Sequence, residues 1–135
     1  MGILIDSNII IDCERNKLDA SSLFSESLSR EELFISVITV SELLHGVYRG
    51  KTSAQINQRS AFVEKIIDAI KAIDIDVQVA RTHARLSSEL IQSGTKIGSA
   101  DTWIAATCIS HGLQLCTRDL KAFSQIEGLS LYSIY

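Results

Sequence analysis

Four acids, Asp6, Glu42, Asp101 and Asp119, stand where a folded chain can gather charge for chemistry. Asp6 stops the apolar run Ile3-Leu4-Ile5 and is followed by Ser7 and Asn8, and Asp119 follows Leu113-Gln-Leu-Cys116 and Thr117-Arg118. Both read as polar residues at the carboxyl ends of buried strands, which in an open parallel α/β sheet is where ligand crevices form. Glu42 and Asp101 follow Thr39 and Ser99, which read as helix openings that pack at the same sheet edge. Carboxylates that converge to about 4 Å repel by roughly 4 kcal/mol per pair at an effective dielectric of about 20, so such a cluster requires a cation. All-oxygen ligands suit Mg²⁺ or Mn²⁺ and suit zinc or copper poorly. A divalent ion there would hold a phosphate oxygen and lower the pKa of a water for in-line attack on phosphorus, so phosphodiester hydrolysis is the chemistry expected.

Taken singly, each acid has a structural role as well. Asp6 can cap the helix after the strand, Glu42 stands at capping-box spacing from Thr39, Asp101 suits the positive end of a helix dipole, and Asp119 can cap a short helix at 120–123. Their joint placement at one edge carries the functional reading. His45, His83 and His111 show no local nucleophile signature, and His83, on a helical stripe, is expected to be packed. Neither GxGxxG nor GxxxxGK[ST] occurs. Cys13, Cys108 and Cys116 have no CxxC or CxH companion, so reduced thiols in apolar surroundings are expected instead of a zinc site or a disulfide framework. A net charge of -3 excludes nucleic-acid binding by overall basicity but permits a basic rim around an acidic site. No apolar run is long enough for a transmembrane helix and no basic leader precedes Asp6, so a cytoplasmic protein without membrane contact is expected.

The elements that would position the acids follow from periodicity. Residues 1–135 read as one domain. After the first strand, residues 9–14 and 19–28 read as short helices, the latter with Leu23, Phe24 and Leu28 on one face. Residues 33–37 form a β-branched and aromatic strand leading into the Thr39 helix. Between 61 and 73, Phe62, Val63, Ile66, Ile67, Ile70 and Ile73 make the clearest helical stripe in the chain, with 73–76 a short strand candidate. Residues 79–91 form another helix, closed by Ser93-Gly94. A helix from Ser99, its expected N-cap, to His111-Gly112 follows, then a strand at 113–116 and an alternating final strand at 129–134. Strands separated by helices predict an α/β fold, a three-layer α/β/α sandwich around a mostly parallel sheet.

The segments Leu4-Ile-Asp6-Ser-Asn8, Ser41-Glu42-Leu-Leu-His-Gly46, Ser99-Ala-Asp101-Thr-Trp-Ile-Ala-Ala106 and Leu115-Cys-Thr117-Arg-Asp119 resemble, in order and spacing, the PIN-domain ribonucleases, and most of all the VapC toxins of toxin–antitoxin modules. The resemblance covers the whole chain. It implies a Mg²⁺- or Mn²⁺-dependent endoribonuclease in which Asp6, Glu42, Asp101 and Asp119 form the acidic quartet. Asp6 and Asp101 would ligate the ion directly, Glu42 and Asp119 would complete the shell, and Ser7, Asn8 and Thr117 would support it. It further implies a homodimer inhibited by a cognate antitoxin protein. Many relatives carry another acid just before the aromatic of the last motif; here Ala122 precedes Phe123, which leaves a second metal without that ligand. Arg15, Lys17, Arg49, Lys51, Lys96, Arg118 and Lys121 fall near the motifs and are candidates for the RNA backbone.

Two other readings compete. An aspartyl phosphatase would use Asp6 as nucleophile, but such enzymes place a second acid two residues later, where this chain has Asn8. A silent PIN-like module that only binds RNA or protein has no reason to keep four mutually repelling acids.

Overall fold

Ile3, Leu4 and Ile5 are fully buried because β1 (Ile3–Ile5) is the central strand of the molecule. The computed structural model describes residues 2–16 and 32–133, so the helix expected at 19–28 and the side chain of Lys17 lie outside the described residues. Four further strands, β2 (Leu33–Ser36), β3 (Lys71–Ile73), β4 (Gln114–Cys116) and β5 (Ser130–Tyr132), complete a sheet in the order β3-β2-β1-β4-β5. Every pairing in it is parallel, with Leu4 opposite Phe34 on one side and Leu115 on the other. From β1 the chain steps outward to β2 and β3, then returns across β1 to β4 and β5. The reversal leaves a crevice beyond the carboxyl ends of β1 and β4, where the connections diverge.

Alternation along β1 divides the core into two layers. Ile3 and Ile5 join Ile9, Ile10, Leu43, Val47, Val63 and Ile66 on one face of the sheet. These come from α1 (Ser7–Glu14), α2 (Val37–Tyr48) and α3 (Ser53–Ala69). Leu4 and Leu115 face the other way, toward Val79, Leu86, Leu90, Ile104, Ala105 and Phe123. That layer is built from α4 (Val77–Ser93), α5 (Ser99–His111) and α6 (Leu120–Phe123). At roughly 1.5–3 kcal/mol for each fully buried large aliphatic side chain, the strand that ends in Asp6 is among the best-anchored parts of the chain. Gly94 and Gly112 end α4 and α5 in the left-handed conformation, at φ 70° and 65°. Cys13, Cys108 and Cys116 are buried, and burial pushes the Cys116 thiol up to about 12, in keeping with unreactive thiols.

Several local expectations are corrected. The strand and helix meet at Ser36, not Thr39: Ser36 Oγ accepts from the Ile38 N–H at 3.0 Å, and α2 begins at Val37. No capping box joins Thr39 to Glu42, and Glu42 lies in the second turn of α2. Thr39 is instead buried, and its Oγ1 is the one buried side-chain polar atom without a hydrogen-bond partner among the described residues. The apolar stripe is helical only as far as Ala69. Ile70 leaves the helix in an extended conformation and 71–73 pair with β2 as the edge strand, so the strand begins two residues before the expected 73–76, and Asp76 caps α4 through the Val79 N–H. Gly98, not Ser99, occupies the N-cap of α5, without a side-chain cap bond.

Candidate functional site

Asp6 is placed by the burial of β1 before it and by its own cap bond after it. It is 4% exposed; its Oδ1 accepts from the Ser7 N–H at 2.8 Å, and its Oδ2 accepts from Thr117 Oγ1 at 2.8 Å. The partner β4 is locked in register by the Asp6 N–H to Cys116 carbonyl bond at 2.9 Å, which brings Thr117 beside Asp6. Thr117 Oγ1 also accepts from Asn8 Nδ2 at 3.2 Å and from the Asp119 N–H at 3.1 Å, while Asn8 Oδ1 accepts the Arg118 N–H at 3.0 Å. One hydroxyl, that of Thr117, thus ties Asp6, the first turn of α1 and the Asp119 loop together. Asp119 caps α6 through the Ala122 N–H at 3.2 Å.

Glu42 reaches the same cleft from α2, where its Oε1 lies 3.4 Å from Ser7 Oγ. Asp101 enters from the first turn of α5, a helix that touches α2. The charges sense one another. Burial raises the Asp6 carboxyl above the usual aspartate range and Asp119 raises it further, against the lowering effect of the Thr117 and Ser7 hydrogen bonds. Glu42 is exposed as a residue, yet partial shielding of its carboxyl raises its pKa, and Asp6 and Asp101 add to the shift. Asp101 is raised by burial and then by Asp6 and Asp119. Desolvation and like charge both favour the protonated acids, a penalty that a bound cation would remove.

The donor set is hard oxygen throughout and fits Mg²⁺ or Mn²⁺ by its chemistry. Among the described residues no three His, Cys, Asp or Glu side chains close around one point as a complete metal cage. Mg²⁺ does not require one, because it keeps several waters and takes one or two carboxylates together with substrate phosphate.

The basic residues separate into groups. Arg15 and Arg49 line a cavity that reaches Ser7 and Glu42, whereas Lys96 lines a different cavity between α4 and the start of α5. Arg118 directs its Nη1 to Asp12 Oδ1 at 2.6 Å; its side chain is half-exposed and Asp12 is 4% exposed. The guanidinium expected at the RNA therefore braces the Asp119 loop against α1. Sequence reasoning missed Asp12, although an acid four residues after Asn8, on the same helix face and directly after Ile9-Ile10-Ile11, was a signal for it. It also missed Arg59, which no motif surrounds. His83 is a packed histidine, stacked on Trp103 with ring centroids 3.6 Å apart and planes 11° from parallel.

The Thr117 hydroxyl carries a specific expectation. Thr117→Val keeps the shape but leaves Asp6 Oδ2, Asn8 Nδ2 and the Asp119 N–H without this partner. It should cost about 1–3 kcal/mol in urea unfolding and lower any activity of the site through misplaced carboxylates. An unchanged unfolding midpoint would show that the network contributes nothing.

A buried acid at the switch point of a five-stranded parallel sheet, with three more acids coupled to it from separate elements, is the arrangement of the PIN domain. Residues 3–129 match the PIN domain family model, and the chain belongs to that family. VapC ribonucleases are among the proteins it is similar to. It is 32% identical to Ribonuclease VapC1 of Rickettsia felis over 134 residues, covering 99% of this chain and 97% of that protein. Its fold superposes with a TM-score of 0.89 on VapBC2 from Rickettsia felis bound to a promoter DNA fragment, at 26% identity and 98% coverage of both chains. It matches DNA-bound VapBC from Salmonella typhimurium equally well, at 27% identity with 100% and 99% coverage.

Proposed function

We propose that this protein is the endoribonuclease toxin of a toxin–antitoxin pair, cleaving RNA phosphodiester bonds with Mg²⁺ or Mn²⁺ held by Asp6, Glu42, Asp101 and Asp119. The observation that carries the reading is the coupled acid cluster: three carboxyls raised in pKa by burial and by one another's charge, at the switch point of the sheet. The ribonuclease names of full-length relatives and the toxin–antitoxin complexes among the similar structures support the same conclusion.

In this reading Asp6 and Asp101 hold the cation and Glu42 and Asp119 complete its surroundings. When bound, the ion would polarise the scissile phosphate and lower the pKa of an attacking water. The chain supplies the geometry. Thr117 and the Ser7 N–H fix both oxygens of Asp6, so that carboxylate cannot rotate away. Glu42, at the open edge beside Ser7, would accept a proton from water as the new bond to phosphorus forms. Arg15, Lys17, Lys96 and Arg118 are proposed to follow the RNA backbone, with Arg118 doing so only through the part of its side chain that Asp12 leaves exposed. The partners proposed are a cognate antitoxin and a second copy of the chain, with action on RNA in the cytoplasm. No helix among the described residues is long and apolar enough to cross a membrane.

The test is incubation of total cellular RNA with the purified, antitoxin-free protein in Mn²⁺, in Mg²⁺ and in EDTA. Discrete products in either metal that vanish in EDTA are expected. Release of inorganic phosphate from a phosphomonoester without RNA cleavage would favour the phosphatase chemistry instead.

A further inference from the structure

Beside the acids, the ends of α1 and α2 and the middle of α3 enclose a cavity of about 450 Å³ whose wall includes Ser7, Glu42, Arg15, His45, Arg49 and Arg59. We infer that this cavity is a phosphate subsite for the nucleotide flanking the scissile bond, with Arg15, Arg49 and Arg59 as its anion-binding side chains. The inference rests on the RNA-cleaving reading and adds to it a binding site outside the acid cluster.

Four observations carry it. First, the cavity is continuous with the cleft, because Ser7 and Glu42 belong to both. A strand whose scissile phosphate lies at Asp6 and Asp101 has its next phosphate on one side or the other, and this is a side where positive charge waits. Second, among the described residues Glu42 is the only acid lining this cavity, alongside three guanidiniums and His45. Third, among the described residues neither Arg15, Arg49 nor Arg59 forms an ion pair, in contrast to Arg85 with Glu89 and Arg118 with Asp12. Guanidiniums without a carboxylate partner keep their planar forks available for phosphate oxygens. Fourth, Arg59 is held at the wall, half-buried, with Nη1 donating to the Gly46 carbonyl at 3.2 Å, so part of its ordering entropy is already lost before a ligand arrives. The volume lies in the range of small-ligand sites. The adjoining part of the groove, which Arg15 and Arg59 also line, adds Glu14 and the apolar Leu43 and Val63, so the anion is expected on the Arg49 and His45 side.

Gly46 makes the idea testable without disturbing the charges. It lines the cavity, its backbone is helical, and a Cβ added there would meet nothing within 4 Å. Gly46→Leu should therefore fill the cavity while improving helix propensity. The experiment is fluorescence anisotropy of a labelled single-stranded RNA oligonucleotide in EDTA across a salt series, with the parent, Gly46→Leu, Arg49→Gln, Arg59→Gln and, as a charge control on the same helix, Lys65→Gln. Thermal melting of each variant accompanies it. Gly46→Leu and the two arginine variants should each bind on the order of tenfold more weakly. The log–log salt slope should fall by about 0.7 for each arginine removed and stay unchanged for Gly46→Leu. Lys65→Gln should bind like the parent. Parent-like RNA affinity in all the cavity variants, with parent-like melting, would overturn the proposal, as would loss of a co-expressed protein partner with RNA binding intact, which would make the wall a protein contact. Because binding is read without a metal, a parent that fails to cleave RNA leaves this result standing on its own, and the two failures are told apart.

Discussion

Asp6→Asn and Asp101→Asn should both lower metal-dependent RNA cleavage on the order of a hundred- to a thousandfold, yet shift stability in opposite directions. The rate loss follows from removing one negative oxygen from the cluster proposed to hold the cation, comparable to deleting a preorganised electrostatic group from other active sites. The stability difference follows from the hydrogen bonds. Asp101 makes no side-chain hydrogen bond among the described residues, and burial, Asp6 and Asp119 all oppose its charge. Asp101→Asn removes that opposition and should raise the unfolding midpoint in EDTA. Asp6→Asn keeps an oxygen for the Ser7 N–H but turns an amide N–H toward Thr117 Oγ1, whose lone pairs already serve Asn8 and Asp119. Its midpoint should therefore fall. Initial rates on a labelled RNA and urea titrations of the three proteins decide the matter. A variant that retains more than a tenth of the parent rate would remove its acid from the proposed quartet.

Removing metal should make stability depend on pH in a direction unusual for carboxylates. Asp6, Glu42 and Asp101 all have raised pKa values in the folded chain, so folding takes up protons between the unfolded and folded values. Their contribution is most favourable below about pH 4, where the carboxyls are protonated in both states. It declines as pH rises through the folded values and stays unfavourable at neutrality. In EDTA the difference in stability between the parent and Asp101→Asn should accordingly widen from about pH 4 toward pH 7. Adding Mn²⁺ or Mg²⁺ at pH 7 should reverse the penalty, with about 2.7 kcal/mol of added stability at a hundred times the dissociation constant. That gain should shrink as protons displace the ion at low pH. Thermal melts over this range with and without EDTA provide the measurement. A parent whose melting ignores both ions at neutral pH would argue against a cation site at these acids.

Much of the architecture was legible from local pattern. The arrest of Ile3-Leu4-Ile5 by Asp6 marked the central strand, and Gly94 and Gly112 marked two helix ends, because left-handed caps favour glycine. The parallel α/β/α arrangement followed from the alternation of strands and helices, and Asp6 and Asp119 were legible as polar residues at strand ends, whereas Glu42 lies a turn inside its helix. Periodicity failed where two structures share one pattern. Ile70 and Ile73 fit the helical spacing of α3 equally well, but the free edge of β2 offered backbone hydrogen bonds to 71–73, and β-branched residues accept an extended chain readily. Thr39 looked like a cap from its neighbours; Ser36 took the cap because β2 ends there, where its Oγ meets the Ile38 N–H.

By itself the sequence determined which residue types stand at the carboxyl edge of the sheet and which apolar runs bury them, since both depend on neighbours a few positions apart. Only the tertiary structure decided which distant groups meet. Thr117 serves Asp6 from 111 positions away, Arg118 answers Asp12 across 106, and Arg59 reaches the Gly46 carbonyl from another helix. Hydrogen bonds and charges act over a few ångströms in space, and along a chain this long that proximity is created by the packing of the two helix layers on the sheet.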